Sequence, residues 1–369
     1  MSKNSNSLTR LALQKFKKNF WGVLSFSFIV ICAFIVIFAY VFAPDDTKNA
    51  NQMHLSIHSK KPGFSVQMLT IPSKEKEEQS FVDALFFGKE NTAIETPIST
   101  YRVDDNKLFV TEYSDGAIEG IEKEILLNSF PEGTEVAKIP TQFIQQKTFR
   151  LGTDKYGRDV LSRMLIGMRI SFTIGFVAVF ISLLIGISLG ALAGYFEGRV
   201  DAAIMWIINV TWSIPTLLLV IAITLTLGKG FWQVFVAVGL TMWVEVARIV
   251  RGQVLSVKRM QYVTAARALG YHDFRIITKH ILPNIMAPVI VISAANFAAA
   301  ILIESGLSFL GIGAQPPMPS WGAMIKDHYS YIILGKPYLA IIPGIAIMSL
   351  VMAFMLVGNA LRDALDVKN

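Results

Sequence analysis

Few residues in this chain have the types and spacing that do chemistry. Its five histidines, His54, His58, His272, His280 and His328, are scattered. His54 and His58 are four residues apart, so on a helix they would share a face and could hold a metal ion. The single cysteine, Cys32, lies in an apolar run. It excludes a disulfide or a cysteine-rich metal centre within the chain and reads as a small packing residue. No G-x-x-x-x-G-K-[ST] phosphate loop occurs, and Gly228-Lys229-Gly230 reads as a turn. Two carboxylates stand in apolar surroundings. Glu245 precedes Arg248 by three residues, the spacing of a helical ion pair. Glu304 heads a Gly- and Pro-rich stretch as its cap or anchor, or faces a polar path. None of these groups makes a nucleophile with a base, so the expectation is not an enzyme.

The sharpest pattern is structural. Tyr262-Val263-Thr264-Ala265-Ala266-Arg267-Ala268-Leu269-Gly270 is rich in helix formers and stops at glycine. Ile281-Leu282-Pro283-Asn284 then opens a new helix with proline in its first turn. This predicts two short helices joined at Gly270. Small residues at 265, 266 and 270 would let another protein approach the backbone closely.

The elements that must hold this loop are membrane spans. The chain has 369 residues, 53% hydrophobic and 17% charged, and a mean hydropathy of +0.50. The charges are bunched, and the gaps between them approach the roughly 20 apolar residues that cross a bilayer. Six stretches are read as helices: Phe20–Ala43, Ile170–Phe196, Ala202–Gly228, Gly230–Val244, Ile281–Ile303 and Pro337–Leu361. The first is too long for the core of a cleaved signal peptide and reads as a retained anchor. Ser305–Ile325 is also uncharged, but its glycines and prolines exclude a lipid-facing helix. Pro215 should kink the third span. Gly186, Gly190 and Gly194 share one face of the second, for close packing inside the bundle or at an interface with a second subunit.

Lys and Arg flank the spans asymmetrically. The basic N-terminal tail and the segment with Arg248, Arg251, Lys258, Arg259, Arg267, Arg275 and Lys279 fall on one side, expected to be the cytoplasm with both termini. The net charge of +7 is therefore a topology signal, and nucleic acid is not an expected partner. Pro44–Arg150 is a polar, acid-rich insert on the opposite side. Gly63–Ile71 and Lys107–Tyr113 read as strands, Asp104-Asp105-Asn106 as a turn and Lys74–Glu78 as a solvated charge run. A small mixed α/β unit or ordered loop follows, either contacting an outside partner or without an essential role.

The helix–glycine–helix pattern resembles the cytoplasmic loop of ABC importer permeases: Glu-Ala-Ala, three residues, Gly, nine residues, Ile-x-Leu-Pro. Thr264 stands where that pattern has Glu, and His280 where it has Ile. Leu151-Gly152-Thr153-Asp154 through Arg163 is similar to the segment before the second span of dipeptide and oligopeptide permeases. Glu304 through Leu307-Ser308-Phe309-Leu310-Gly311 to Ser320-Trp321-Gly322 resembles their outer loop, and Leu361–Asp366 their ending. The resemblance covers 151–366 closely and 11–42 loosely, and omits the insert. It points to the C-type inner-membrane permease subunit of peptide importers, whose relatives also move nickel or other small solutes.

The resemblance implies an all-α polytopic membrane protein, with six helices of the type I importer kind and the insert attached. The expected divisions are a tail at 1–19, the first transmembrane helix at 20–43, the insert at 44–150, and a permease domain at 151–369 with its coupling loop at 248–282. It implies no cofactor or metal in this chain; ATP and Mg sit on partner ATPase subunits. The implied partners are a second homologous permease, one or two ABC ATPases, an extracytoplasmic solute-binding protein, a peptide substrate and membrane lipid, in a bacterial inner membrane. Tyr262, Ala265, Ala266, Arg267, Gly270, Leu282 and Pro283 would meet the ATPase, and Glu304 and Trp321 would anchor the outer loop or gate. An ion-coupled secondary transporter would need ionisable pairs at mid-membrane, and a membrane scaffold would need no ATPase at the loop.

Overall fold

The computed structural model describes residues 8–72, 79–90, 93–104, 107–116, 120–131, 134, 138–228 and 230–366. The charge run at 74–78, two residues of the turn at 104–106 and Lys229 lie outside them.

Helix α1 (Leu8–Lys18) leads to α2 (Phe20–Ile37), whose first turn is capped by Asn19 accepting from the Gly22 N–H. α3 (Ala39–Phe42) completes this apolar column. The main helical bundle follows: α6 (Val160–Phe196), α7 (Gly198–Trp212), α8 (Thr216–Leu227), α9 (Phe231–Val257), α12 (Leu282–Phe309) and α14 (Tyr338–Leu365). Short helices α10 (Gln261–Ala268), α11 (Asp273–Arg275) and α13 (Trp321–His328) sit at its two ends. Among the described residues, five helices are long and apolar enough to cross a membrane, or six if the bent pair α7/α8 is one span.

That pair departs from the expected kink. The chain turns through 89° between α7 and α8. Pro215 lacks an N–H and disfavours helix at Ile214, so the helix restarts at Thr216 with Pro215 as its N-cap. The residues at the break, Trp212 to Leu218, are exposed on the surface of the bundle.

Between α3 and α6 the insert folds as a five-stranded antiparallel sheet, β1 (Phe64–Ile71), β2 (Ile94–Asp104), β3 (Lys107–Glu112), β4 (Glu122–Leu126) and β5 (Ile144–Phe149), in the order β4-β3-β2-β1-β5. α4 (Phe81–Phe87) and α5 (Ile139–Phe143) are its helices. Alternation puts Leu69, Ile98, Leu108 and Val110 on one face with Phe130 and Ile139. The first and last strands pair from Phe64↔Phe149 to Leu69↔Ile144, so the sheet returns to the place where it left.

Candidate functional site

The loop opposite the insert is built from the residues the sequence singled out. Gly270 has φ +76°, a conformation that strains residues with a Cβ. Its N–H donates to the Arg267 carbonyl at 3.0 Å, and the Tyr271 N–H donates to the Ala266 carbonyl at 3.2 Å. This doubly bonded glycine stop ends α10 sharply. α11 then runs through a π-helical turn, Ile276–Ile281, into α12, which carries Pro283 in its first turn.

Burial sorts the loop into two faces. Val263, Ala266, Ile276, Ile277 and Ile281 join Val250 and Val254 of α9 in one core, with Leu282 packed at its edge. Tyr262, Ala265, Arg267, Leu269, Gly270, Phe274 and Pro283 are exposed. Leu269 is 72% and Phe274 79% accessible. Ala266, expected on the approach surface, instead faces the core: the helical turn that exposes Ala265 rotates its neighbour inward. No heavy atom lies within 4 Å of the position a Cβ on Gly270 would take, so the backbone there is open.

Tyr195, near the end of α6, ties this loop to the bundle. Its hydroxyl donates to Asp273 Oδ1 at 2.5 Å and lies 3.5 Å from Arg267 Nη2, while its ring sits under the Arg267 and Lys258 cations. Lys258 Nζ also donates to the Tyr195 carbonyl and, at 3.0 Å, to Glu197 Oε1. One stride away, Arg251 of α9 grips Asp201 of α7 with two 2.5 Å bonds. A tyrosine in an apolar helix end gives no sequence signal, because its partners lie more than 60 residues away.

The glycine stripe of α6 packs against α9 within the chain. A Cβ at Gly190 would stand 2.5 Å from the Ala247 carbonyl oxygen, and one at Gly194 would stand 2.8 Å from that of Arg251. At Gly186 the obstacles are Val246 and the Trp243 carbonyl. Gly239 of α9 answers by receiving Ile181 of α6.

At the insert end, Glu304 is fully buried and accepts from Ser308 Oγ at 2.6 Å. Ser308 Oγ in turn accepts from the Ala314 N–H at 3.2 Å, so the carboxylate anchors the loop after α12. Trp321 is buried, and its Nε1 donates to the Met164 carbonyl of α6 at 3.0 Å, against Gly167. Asp154 is the core of the 151–163 segment. It accepts from the N–H groups of Tyr156 and Arg158 and from Arg158 Nε at 2.7 Å, while Arg163 reaches the carbonyls of Asn49 and Ala50. Asp159 caps α6 through the Ser162 N–H, and burial raises its pKa above the usual carboxylate value.

His54 and His58 flank a three-residue 3₁₀ turn, Leu55–Ile57, and do not share a helix face. His54 pairs with Glu95 at 3.6 Å. Glu245 and Arg248 do not pair. Arg248 Nη2 donates to Asn209 Oδ1 at 2.7 Å, and its guanidinium lies 3.5 Å above the Trp212 ring.

Long apolar helices in one bundle, with a loop of open backbone at one end, define a multi-pass membrane protein. Residues 186–368 match the family of binding-protein-dependent transport system inner membrane components, and residues 7–62 match the N-terminal transmembrane domain of oligopeptide transport permease C. The sheet lies between these two matches. The glutathione transport permease GsiD of Pectobacterium atrosepticum is 44% identical over 59% of this chain and 72% of its own length. The dipeptide transport permease DppC of Bacillus subtilis is 45% identical over 59% of this chain and 68% of its own. A solved structure of the MetNI methionine ABC transporter, facing inward, superposes with a TM-score of 0.46 at 19% identity, over 55% of this chain and 96% of that one. The chain belongs to the binding-protein-dependent transport system inner membrane components, as a C-type permease of the peptide ABC transporter group. It is thus a multi-pass transport subunit rather than an enzyme.

Proposed function

We propose that this chain forms half of the translocation path of an ATP-driven importer for short peptides. Its partners in this reading are a second homologous permease, one or two ABC ATPases and an extracytoplasmic solute-binding protein. The loop at 248–282 and both termini face the cytoplasm, as the Lys and Arg distribution requires, and the sheet faces outward. The substrate class follows the dipeptide and glutathione permeases that the chain resembles.

The observation that carries the reading is the loop's two-faced build. One side is continuous with the core of α6, α9 and α12; the other offers Tyr262, Ala265, Leu269, Gly270 and Phe274 to a partner. A load on that surface moves the bundle only if the loop is rigidly joined to it, and the Tyr195 contacts with Asp273 and Arg267 support that join. ATP and Mg act on the partner ATPases. This chain converts their closure into a shift between two bundle states, which loaded binding protein biases from the other end.

The test is peptide uptake by the complete transporter reconstituted in vesicles. Gly270→Glu places charge and bulk on the open backbone and is expected to abolish ATP-driven uptake and capture of the ATPase. Uptake at the wild-type rate in that variant overturns the coupling assignment.

A further inference from the structure

We propose that Glu245, with the break between α7 and α8, forms a cation-recognition site on the translocation path, and that its ligand is the protonated amino terminus of the peptide. The ligand assignment rests on the peptide-permease reading above; the site itself does not.

Glu245 is the fifteenth residue of the 27-residue α9, about 21 Å from its start at 1.5 Å per residue. A carboxylate that deep in a spanning helix is costly and marks a functional path when it is not structurally paired. Glu245 is exposed, and among the described residues no cation or N–H meets its carboxylate. The contrast is Glu304, which is fully buried and satisfied by serine.

The acid does not stand alone. It lines a cavity of about 210 Å³ with Thr211, Trp212, Thr216 and Thr241. Thr211 and Trp212 are the last residues of α7, which ends at the 89° turn; the Asn209 carbonyl accepts from the Ser213 N–H, that of Val210 from Ser213 Oγ and that of Thr211, at 3.4 Å, from the Ile214 N–H. A helix C-terminus carries partial negative charge, so the broken helix and the carboxylate favour the same ligand sign. In secondary transporters the C-terminal ends of discontinuous helices coordinate cations in the same way. The Arg248 guanidinium is engaged by Asn209 and by the Trp212 ring, and it does not line the cavity. The volume fits a primary ammonium with its first substituents, which selects the end of a peptide rather than its whole length.

Two measurements on the complete transporter separate the site from the substrate reading. The first uses Thr216→Cys on a Cys32→Ser background, labelled with a trimethylammonium-ethyl or a sulfonatoethyl methanethiosulfonate. With Glu245 present the cationic reagent is expected to react faster, and Glu245→Gln should lower the cationic-to-anionic rate ratio about tenfold. An unchanged ratio, or no reaction with either reagent, overturns the site. The second is uptake of a peptide with a free amino terminus, which Glu245→Gln should reduce about tenfold while Glu245→Asp retains most of it. Wild-type-level uptake in Glu245→Gln, or equal loss in Glu245→Asp, overturns the ligand assignment. A wild-type transporter that takes up no peptide overturns the peptide reading and this ligand, and leaves the labelling ratio to decide the site.

Discussion

The hydroxyl of Tyr195 donates to Asp273 at 2.5 Å, joining the end of α6 to the second half of the loop that α10 begins. The same hydroxyl meets Arg267 at 3.5 Å, on the first half. One phenol therefore bridges the two segments that meet at Gly270.

Tyr195→Phe removes that hydroxyl and leaves the ring in its core. A hydrogen bond to a charged group is worth about 1.5–3 kcal/mol, and part of it is replaced by water at this half-open site. The folded protein should lose only a few degrees of thermal stability. Uptake should fall severalfold, with ATP hydrolysis less affected than transport. Asp273→Asn should do much the same, and the double variant should be no worse than either alone. Fully additive losses would show that the two residues act separately.

The glycine stripe gives a prediction about folding. At Gly190 an added Cβ meets the Ala247 carbonyl at 2.5 Å and the Val250 Cβ at 2.9 Å, in a packed helix pair. Neither can retreat without separating α6 from α9. Gly190→Val should destabilise the protein by about 1–3 kcal/mol or more and reduce the fraction that remains monodisperse in detergent. The same change at Gly252, with nothing within 4 Å of its Cβ position, should be tolerated.

These residues also show where sequence is informative. The stripe was legible because Gly186, Gly190 and Gly194 repeat at a helical period, and the spans were legible because lipid tolerates few charges. The loop's stop at Gly270 was legible because left-handed backbone selects glycine. The inward turn of Ala266 was not, since alanine suits either face of a short helix. Nor was the right-angle break at Pro215, because proline can also kink a continuous helix; packing of α8 against α9 decides between them. Tyr195, Asp154 and the isolation of Glu245 from Arg248 depend on side chains brought together only by the tertiary fold.

A buried histidine and a half-buried glutamate at the insert end give a pH dependence with a defined sign. His328 accepts the Lys155 N–H on Nε2 at 3.3 Å and faces the Met324 carbonyl with Nδ1 at 2.7 Å, an arrangement that needs the neutral ring with its proton on Nδ1. Burial lowers its pKa below 6.5, although Met324, Asp154 and Asp327 oppose this. Its contribution is present above about 6.5 and is lost as pH falls through the lower folded value. Burial would raise the pKa of Glu95, but His54 and Lys147 outweigh it and bring the pKa down to about 2. That contribution is complete above about 4.5 and lost as pH falls towards 2. Thermal melts of the purified protein should show a first loss below pH 6.5 and a second below 4.5. His328→Gln should flatten the first while leaving the second.

The insert itself should be removable. Phe64 and Phe149 are paired at the first and last strands, and the Gly63 N–H donates to the Phe149 carbonyl at 3.0 Å, so the two ends of the sheet are neighbours. One of its cores, around Leu69, Ile98, Leu108 and Val110, is formed by insert residues. The other includes Ile57, which belongs to the segment running beneath the sheet. Most of what the bundle draws from this region comes from that segment: Asp45 N–H to Ser162, Lys60 N–H to Thr153, and the Asn49 and Ala50 carbonyls to Arg163; from the insert, the Phe86 carbonyl accepts from Arg169 at 2.7 Å. Replacing 65–148 with a two- or three-residue link keeps all four contacts of the segment and gives up the Phe86 carbonyl on Arg169 and the Lys89 pairing with Asp46, Thr47 and Lys48, Phe86 and Lys89 themselves being exposed. The shortened chain should insert, remain monodisperse and melt within a few degrees of the parent, since the exposed Ile57 costs about 1–2 kcal/mol. Removing 45–60 as well should abolish folding, because it strips the Asn49 and Ala50 carbonyls from the buried Arg163, which then keeps, among the described residues, only Asp154 at 3.8 Å, and uncovers the bundle end that this segment packs on. If the first deletion also prevents folding, the sheet is part of the permease core rather than an addition to it.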